Sequence, residues 1–205
     1  MEKKRELFRE VVDQISKCTK CTLHKERKNV VPGEGDINTV VMFVGEGPGA
    51  DEDEQGRPFV GRSGMLLTKI IESVGFKRSD VYITNVVKCR PPGNRNPVEG
   101  EMKACSGYLE AQIALIQPRI IVTVGSVPTK WILRDELPGK EGITKLRGKF
   151  FTWRGMEVMP IFHPSYLLRN PSVEKGKPKW TTWQDMKLIK ERCDEILKEG
   201  SGGRT

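Results

Sequence analysis

A carboxylate and a rigid turn follow the first buried strand that the sequence predicts. Residues 40–44 (VVMFV) are apolar, and Gly45 is followed by Glu46, a Gly-Pro-Gly turn and four consecutive acids at 51–54. Such a turn can hold a carboxylate in a partly dry site, where it acts as a general base or stabilises a developing positive charge. A single Glu after a strand is more often solvated or caps a helix, so Glu46 needs support from elsewhere in the chain.

The cysteines indicate a second kind of chemistry. Cys18 and Cys21 form the pair CTKC, which holds two thiolates at metal-chelating distance. Cys89 and Cys105 can complete a four-thiolate site. The spacing does not choose between zinc and an iron–sulfur cluster, although a zinc ribbon usually repeats its CxxC pair. The alternatives are ordinary buried cysteines or, less favoured in an intracellular chain, disulfides. Cys193 is interpreted as a core or surface thiol in the last helix.

Strands and helices must alternate along the chain to position these groups. Apolar residues at helical spacing predict helices before Cys18, after a Ser63 cap, at 97–117 and at 180–197. The predicted strands are 40–44, 81–87, RIIVTVG ending at Gly125, and the second arm of a hairpin that turns at Arg154 and Gly155. Alternation of this kind is typical of a mostly parallel sheet with helices on both faces, an α/β fold.

Polar residues follow each predicted strand of this sheet. Glu46 follows the first, Asn85 lies near the end of the second, Ser126 follows the third and His163 follows the fourth. In open α/β sheets the active crevice lies outside the carboxyl ends of the strands, so these four positions are expected to converge there.

Length and composition limit the class of protein. A chain of 205 residues with 35 Lys and Arg against 27 Asp and Glu has a net charge of +8, which favours a polyanionic partner such as nucleic acid. Residues 1–199 are expected to form one domain, and 200–205 (GSGGRT) a flexible tail. No apolar run is long enough to span a membrane, and the charged N-terminus is not a secretory signal, so we expect a cytoplasmic protein. Its abundant Lys and Glu point weakly to a prokaryotic thermophile.

Three ordered motifs carry a family resemblance. GEGPGADEDEQGRPFVGRSG, VYITNVVKCRPPGNRNP and HPSYLLR, together with the four placed cysteines, resemble the family 4 uracil-DNA glycosylases, the thermophile-type iron–sulfur branch of that superfamily. The resemblance runs from Cys18 to about Arg169. It implies a three-layer α/β/α sandwich on a central four-stranded parallel sheet. It also implies a DNA repair enzyme that flips uracil out of DNA and hydrolyses its N-glycosidic bond. The family motif usually reads GEAPG, and Gly47 replaces its Ala here.

The resemblance also implies the roles of site residues. Glu46 and His163 would be catalytic: the carboxylate on the sugar side, and the imidazole as a neutral hydrogen-bond donor to the departing uracil. Asn85 would read the imide N–H and adjacent carbonyl of uracil, which cytosine does not match. Phe59 would stack on the base, Gly47 would offer its backbone N–H, and Glu52 would line the pocket mouth. The same resemblance implies that a [4Fe–4S] cluster is the cofactor, held by Cys18, Cys21, Cys89 and Cys105.

Positive and apolar side chains around these motifs are candidates for DNA contacts. The predicted DNA-binding residues are Arg62, Arg90, Ser165, Leu167 and Arg169, with Lys88 and Arg95 as further phosphate contacts and Leu168 as an alternative wedge. Except for Glu52, the acidic run at 51–54 is interpreted as a solvated loop that Arg57 and Arg62 neutralise.

Two other functions remain open. GEGPG after a strand can cradle a nucleotide phosphate, although it lacks the P-loop and dinucleotide patterns. A DNA-binding module that recognises uracil without turnover is the second, and the absence of a histidine between Phe59 and Gly64 argues against covalent capture. Single- or double-stranded uracil-containing DNA is the expected partner, a sliding clamp is a further candidate, and a monomer is expected.

Overall fold

A six-stranded mixed sheet forms the centre of the computed structural model, which describes residues 2–137, 139 and 141–202. Four parallel strands occupy its middle in the order β3, β2, β4, β6, and two short antiparallel strands, β1 and β5, lie at its edges. Their bounds are β1 Glu34–Gly35, β2 Val41–Gly45, β3 Tyr82–Asn85, β4 Ile120–Val124, β5 Phe151–Trp153 and β6 Met156–Ile161. The predicted four-stranded parallel sheet is confirmed as the core of this larger one.

Local sequence explains the hairpin at one edge of the sheet but not the short strand at the other. Arg154 and Gly155 both have positive φ angles, 48° and 78°, so the turn between β5 and β6 has the twist that a tight hairpin needs. The sequence did not predict β1, because two residues carry no recognisable alternation of apolar and polar side chains.

Helices cover both faces of the sheet. Their bounds are α1 Glu2–Ser16, α2 Ala50–Gln55, α3 Arg62–Glu72, α4 Glu99–Ile116, α5 Ser126–Ile132, α6 Ile143–Leu146, α7 Pro164–Arg169 and α8 Pro178–Gly202. The first residues of β2 show how the layers form. Met42 packs in one buried cluster with side chains of α1 and α4, whereas Val41 and Phe43 pack in a second with side chains of α3 and α8. Successive side chains of a strand point to opposite faces, so this alternation builds the predicted three layers.

Helix boundaries differ from the sequence predictions in informative ways. α3 begins at Arg62 after Gly61, so Ser63 lies inside the first turn and is not the cap. The acidic run is not a loop: it forms most of α2, where Asp51, Glu52 and Asp53 occupy the first turn. Acidic side chains are favoured there because a helix N-terminus carries partial positive charge.

The C-terminal prediction is tested only in part of its range. α8 is described as far as Gly202, and the rest of the predicted tail, 203–205, lies outside the described residues. Among the described helices, none has the length and hydropathy that a membrane span requires.

Candidate active site

A cavity of about 670 Å³ opens at the carboxyl ends of the four parallel strands. Its lining brings together Glu46 and Gly47 after β2, Asn85 at the end of β3, Gly125 and Ser126 after β4, and His163 after β6. The polar residues that the sequence places at the four strand ends therefore meet in one cavity, as expected. Further lining comes from Pro48, Gly49, Glu52, Phe59, Ser63, Pro91, Asn94, Arg95, Asn96, Val127, Ser165 and Arg169.

Asn85 presents an unsatisfied acceptor in this cavity. Its side chain is 1% exposed, and Oδ1 has no hydrogen-bond partner among the described residues. A buried amide oxygen without a partner costs free energy, of order 1–3 kcal/mol, which a ligand N–H donor would recover. Asn85 Oδ1 is thus a candidate acceptor for a donor on a bound ligand.

Phe59 forms an aromatic wall beside Asn85. Its ring is buried, lines the cavity and lies 6.1 Å from the His163 ring, centroid to centroid. Its backbone has φ of 50°, a left-handed conformation that costs energy in a bulky residue and is held by the surrounding structure. Gly64 makes this possible, since a Cβ atom there would overlap the backbone of Phe59. The ring is therefore fixed against the space that a planar ligand would fill.

His163 is held as a neutral donor. The backbone N–H of Ser165 donates to His163 Nδ1 at 3.1 Å, and Ser165 Oγ lies 2.8 Å from the same nitrogen. Because Nδ1 accepts a hydrogen bond, the proton of the neutral ring lies on Nε2. Burial lowers the pKa of His163 to about 4, with a further lowering by Arg169 that Glu52 opposes. At neutral pH the ring can thus donate one hydrogen bond from Nε2.

Glu46 is half-buried in the wall of the cavity. Burial raises the pKa of its carboxyl above the ordinary value of 4.5. Its carbonyl accepts the backbone N–H of Val87 at 3.1 Å, which continues the pairing of β2 and β3 beyond the strands. Gly47 has no room for the usual Ala, because a Cβ atom there would lie 2.8 Å from Val87 Cγ2.

Glu52 holds the walls of the cavity together. One carboxylate oxygen accepts the backbone N–H groups of Val60 and Gly61, both at 2.9 Å, and the other accepts that of Gly49 at 3.1 Å. The carboxylate thereby ties the Gly-Pro-Gly turn to the loop that carries Phe59. Glu52 lines the cavity as predicted, and its hydrogen bonds hold these two segments in position.

The other acids of the run have different surroundings. Asp53 is only 2% exposed and accepts the backbone N–H groups of Lys28 and Asn29, so its interpretation as a solvated side chain is wrong. Glu54 forms an ion pair with Lys28 on the surface. Arg57 pairs with Glu34, so it does not neutralise the run.

The predicted DNA-contacting residues fall into two groups. Arg62, Ser165, Leu168 and Arg169 line a second hollow of about 470 Å³ that adjoins the cavity mouth. Leu167 is 1% exposed whereas Leu168 is 44% exposed, so Leu168 is the residue that can reach a bound molecule. Lys88 is fully buried, and its interpretation as a phosphate contact is wrong.

The loop after β3 constrains two more arginines. Arg90 donates to the Asn94 side chain at 2.7 Å, and Arg95 forms an ion pair with Glu101 at 2.7 Å. Arg95 nevertheless lines the cavity, together with Asn94 and Asn96, which the sequence reasoning did not select as site residues. The Asn- and Arg-rich composition of this loop was the available signal.

The four cysteines of the predicted metal site line one other cavity. Cys18 and Cys21 come from the segment after α1, Cys89 follows β3, and Cys105 lies in α4, whereas Cys193 packs in the opposite core with α8. All are free thiols, and Arg27 donates to Cys89 Sγ at 3.2 Å. Burial raises the pKa of Cys89 to about 11, and the Arg27 hydrogen bond opposes this shift. At neutral pH the Cys89 thiol is therefore protonated unless a cation binds it.

The four thiols are the candidate ligands of a metal centre. Within the described residues, no group of three or more His, Cys, Asp or Glu side chains is already arranged to hold a metal ion. Four cysteine thiolates suit either a tetrahedral zinc ion or an iron–sulfur cluster.

The sheet topology and the cavity at its carboxyl edge define an α/β/α domain with an open ligand site. A family model described as the uracil DNA glycosylase superfamily matches residues 32–187, and the chain belongs to this superfamily, in its type-4 branch. The chain is 52% identical to the type-4 uracil-DNA glycosylase of Thermotoga maritima over 170 residues, 82% of this chain and 87% of that protein. It is 46% identical to the enzyme of the same name from Saccharolobus solfataricus, over 88% of this chain and 84% of that protein. The corresponding protein of Archaeoglobus fulgidus is 40% identical over 90% of this chain.

Proposed function

We propose that this protein is a monofunctional uracil-DNA glycosylase of DNA repair, which releases free uracil and leaves an abasic site. The observation that carries the proposal is the buried, unpartnered Oδ1 of Asn85, a residue that lines a cavity with an aromatic wall and a neutral histidine. The imide N–H of uracil can donate to Oδ1, and the adjacent carbonyl can accept from the same amide. Cytosine offers an acceptor where uracil has its N–H, so it would leave buried groups unpaired.

The catalytic residues divide between the two sides of the glycosidic bond. Cleavage develops positive charge on the deoxyribose and negative charge on the uracil. The Nε2–H of His163 donates to the uracil oxygen where charge accumulates, and no proton needs to transfer, since the ring stays neutral. Glu46 supports the sugar side, where its carboxylate stabilises the oxocarbenium-like carbon and orients the water that attacks it. Water supplies the hydroxyl group to the sugar carbon, and its proton ends on the departing base.

DNA reaches the cavity through the adjoining hollow. The target base must leave the duplex to enter, since its reacting bond is otherwise inside the stack. Arg62 and Arg169 at the mouth have no ion-pair partner among the described residues and are placed for phosphate contacts. Exposed Leu168 lies beside them and can fill the gap that the flipped base leaves. The net charge of +8 favours this association.

The cofactor proposed for the second cavity is a [4Fe–4S] cluster held by Cys18, Cys21, Cys89 and Cys105. When bound, it supplies a structural cross-link and not redox chemistry, because hydrolysis of a glycosidic bond transfers no electrons. The link would fasten the segment after α1 to the loop after β3 and to α4. A cytoplasmic location, a thermophilic source, a monomeric state and a sliding-clamp partner stay predictions of the sequence.

Release of uracil from a single-uracil oligonucleotide tests the proposal. The native protein is expected to release uracil and to leave a uracil-free oligonucleotide intact. Asn85→Ala is expected to lose at least a hundredfold in kcat/KM, about 2.7 kcal/mol of barrier. Asn38→Ala, an exposed asparagine before β2, is the matched control and should keep full activity. If the native protein with its cluster intact releases no uracil, the proposed glycosylase activity is overturned and a DNA-binding role is favoured.

A further inference from the structure

Lys88 is a buried cation without a carboxylate partner in the described part of the chain. Its side chain is 1% exposed, and its ammonium donates three hydrogen bonds, to Thr84 Oγ1 at 2.6 Å, the Asn85 carbonyl at 2.7 Å and Gln112 Oε1 at 2.7 Å. Three acceptors match the three donors of a lysine ammonium. A charge kept in such a place is costly, so its contacts merit a functional explanation.

One of these acceptors belongs to the residue that reads the base. The Asn85 carbonyl is bonded to Lys88, while the Asn85 side chain lines the cavity and its Oδ1 has no partner among the described residues. Asn85 is the last residue of β3. The hydrogen bond from the Lys88 ammonium to this carbonyl therefore restrains the backbone of Asn85, and with it the direction of the Asn85 side chain.

The other two acceptors make the anchor rigid. Gln112 donates from Nε2 to the Pro32 carbonyl at 2.8 Å and to Tyr82 Oη at 3.2 Å, and Thr84 Oγ1 donates to the same Pro32 carbonyl at 2.8 Å. The Lys88 ammonium is thus tied to α4 and to the segment before β1 as well as to β3. Small movements of Asn85 would break several buried hydrogen bonds at once.

Lys88 also lines the four-cysteine cavity. Its carbonyl accepts the N–H of Val31 at 2.8 Å, and Cys89 is the next residue in the chain. One residue therefore bonds the backbone carbonyl of Asn85 with its side chain and belongs to the wall of the four-cysteine cavity.

We propose that Lys88 is a positioning residue for uracil recognition, whose buried ammonium fixes the Asn85 carbonyl and so links the aim of the Asn85 amide to the four-cysteine cavity. The proposal rests on the proposed function and adds to it a specificity determinant that does not touch the substrate. The link predicts that disturbing Lys88 weakens the binding of uracil itself, and not the binding of DNA.

The test compares Lys88→Met with Thr84→Val. The methionine keeps the length of the side chain and removes all three donors. The valine keeps the shape of threonine and removes one acceptor of Lys88, but leaves the bond to the Asn85 carbonyl. Both variants lose buried hydrogen bonds and are expected to unfold at lower Tm. Iron and sulfide content and visible absorbance establish that each retains its cluster.

Inhibition by free uracil and steady-state kinetics separate the two roles. Lys88→Met is expected to raise the inhibition constant of uracil about tenfold and to lower kcat about tenfold, because a small misplacement of a binding group has effects of this size. The KM for DNA should stay nearly unchanged. Thr84→Val should keep native values for all three. Equal effects in both variants, or a change in Tm alone, would reduce Lys88 to a structural role and overturn the proposal.

A crystallographic comparison does not depend on catalysis. The Asn85 side chain is expected to move or become disordered in Lys88→Met and to superimpose on the native position in Thr84→Val. An unmoved Asn85 in Lys88→Met would overturn the proposal even if the native protein releases uracil. Failure of the native protein to release uracil would instead remove the proposed function and leave this structural link tested on its own.

Discussion

Gly45 and Asn85 end two neighbouring parallel strands and are paired in register. A Cβ atom at position 45 would overlap Asn85 Oδ1 and would lie 2.5 Å from Cζ of Phe59. The missing side chain at the end of β2 is therefore what leaves space for the amide and the aromatic ring of the base pocket. This relationship makes Gly45 a determinant of the cavity although it has no functional group.

Gly45→Ala is expected to close the pocket. Its methyl group should displace Asn85 or Phe59 and lower kcat/KM for uracil release by at least a hundredfold. Gly107→Ala, at an exposed position of α4, is the matched control, because a Cβ atom there meets nothing within 4 Å. The control should keep activity and gain about 1 kcal/mol of stability from helix propensity. Full activity of Gly45→Ala would contradict the assigned pocket.

Glu46→Gln is expected to lower kcat about a hundredfold, about 2.7 kcal/mol of barrier, because the amide cannot supply negative charge on the sugar side. Burial raises the pKa of Glu46, so its protonated form is favoured in the folded state and ionisation lowers stability as pH rises through the folded pKa. The variant should therefore have a higher Tm than the native protein at pH 8, and a similar Tm below pH 4.5. Unchanged kcat would remove Glu46 from the reacting centre.

His163 is expected to stay neutral through the working pH range. Its folded pKa of about 4 lies below the ordinary value of 6.5, so the unfolded chain binds more protons between these values. The contribution of His163 to stability is complete above pH 6.5 and is lost as pH falls towards 4. Histidine NMR titrations should show this pKa, and His163→Gln should weaken the fall of Tm over the same window. An inflection of His163 near 6.5 would contradict the buried neutral donor.

Leu168→Ala is expected to affect duplex DNA selectively. A wedge is needed only where the base must be unstacked and unpaired, so kcat/KM should fall about tenfold on double-stranded DNA and little on single-stranded DNA. Leu188→Ala on α8 is the control, since this leucine is similarly exposed and does not line either hollow. Equal losses on both substrates would indicate a role other than the wedge.

Cys89→Ala is expected to remove iron, sulfide and visible absorbance from purified protein, and to lower Tm. The cause is the loss of one of the four thiolates proposed to bind the cluster and to join three segments of the chain. Cys193→Ala changes an equally buried thiol in the opposite core and should keep the full iron content. Iron content that is the same in both variants would contradict the assignment of the site.

Much of the active site could be predicted because parallel strands bring their carboxyl ends to one edge. Glu46, Asn85 and His163 each follow a strand that its apolar run makes recognisable, so their convergence needed no knowledge of packing. The cysteine pair and its two distant partners were recognisable for a different reason: few roles other than metal binding explain a CxxC in such a chain.

The sequence could not predict roles that depend on whether a side chain points into the core or towards the surface. Adjacent Leu167 and Leu168 have the same chemistry, and only the packing of α7 buries one and exposes the other. Lys88 has the composition of a phosphate contact, but the close approach of β3 and α4 encloses it. The burial of Asp53 could not be predicted either, because the residues that donate to its carboxylate, 28 and 29, are far away in the sequence.

The sequence by itself determined the four parallel strands and the longer helices along the chain, the residues at the strand ends and the four thiols, because these depend on local apolar pattern and on motif chemistry. The tertiary structure alone decided that Ser165 fixes the proton of His163 on Nε2, that Glu52 ties two loops, and that Lys88 anchors Asn85. Each of these is a hydrogen bond whose existence depends on distances of a few tenths of an ångström. Such distances are set by how the completed layers pack, and no single segment of the chain contains them.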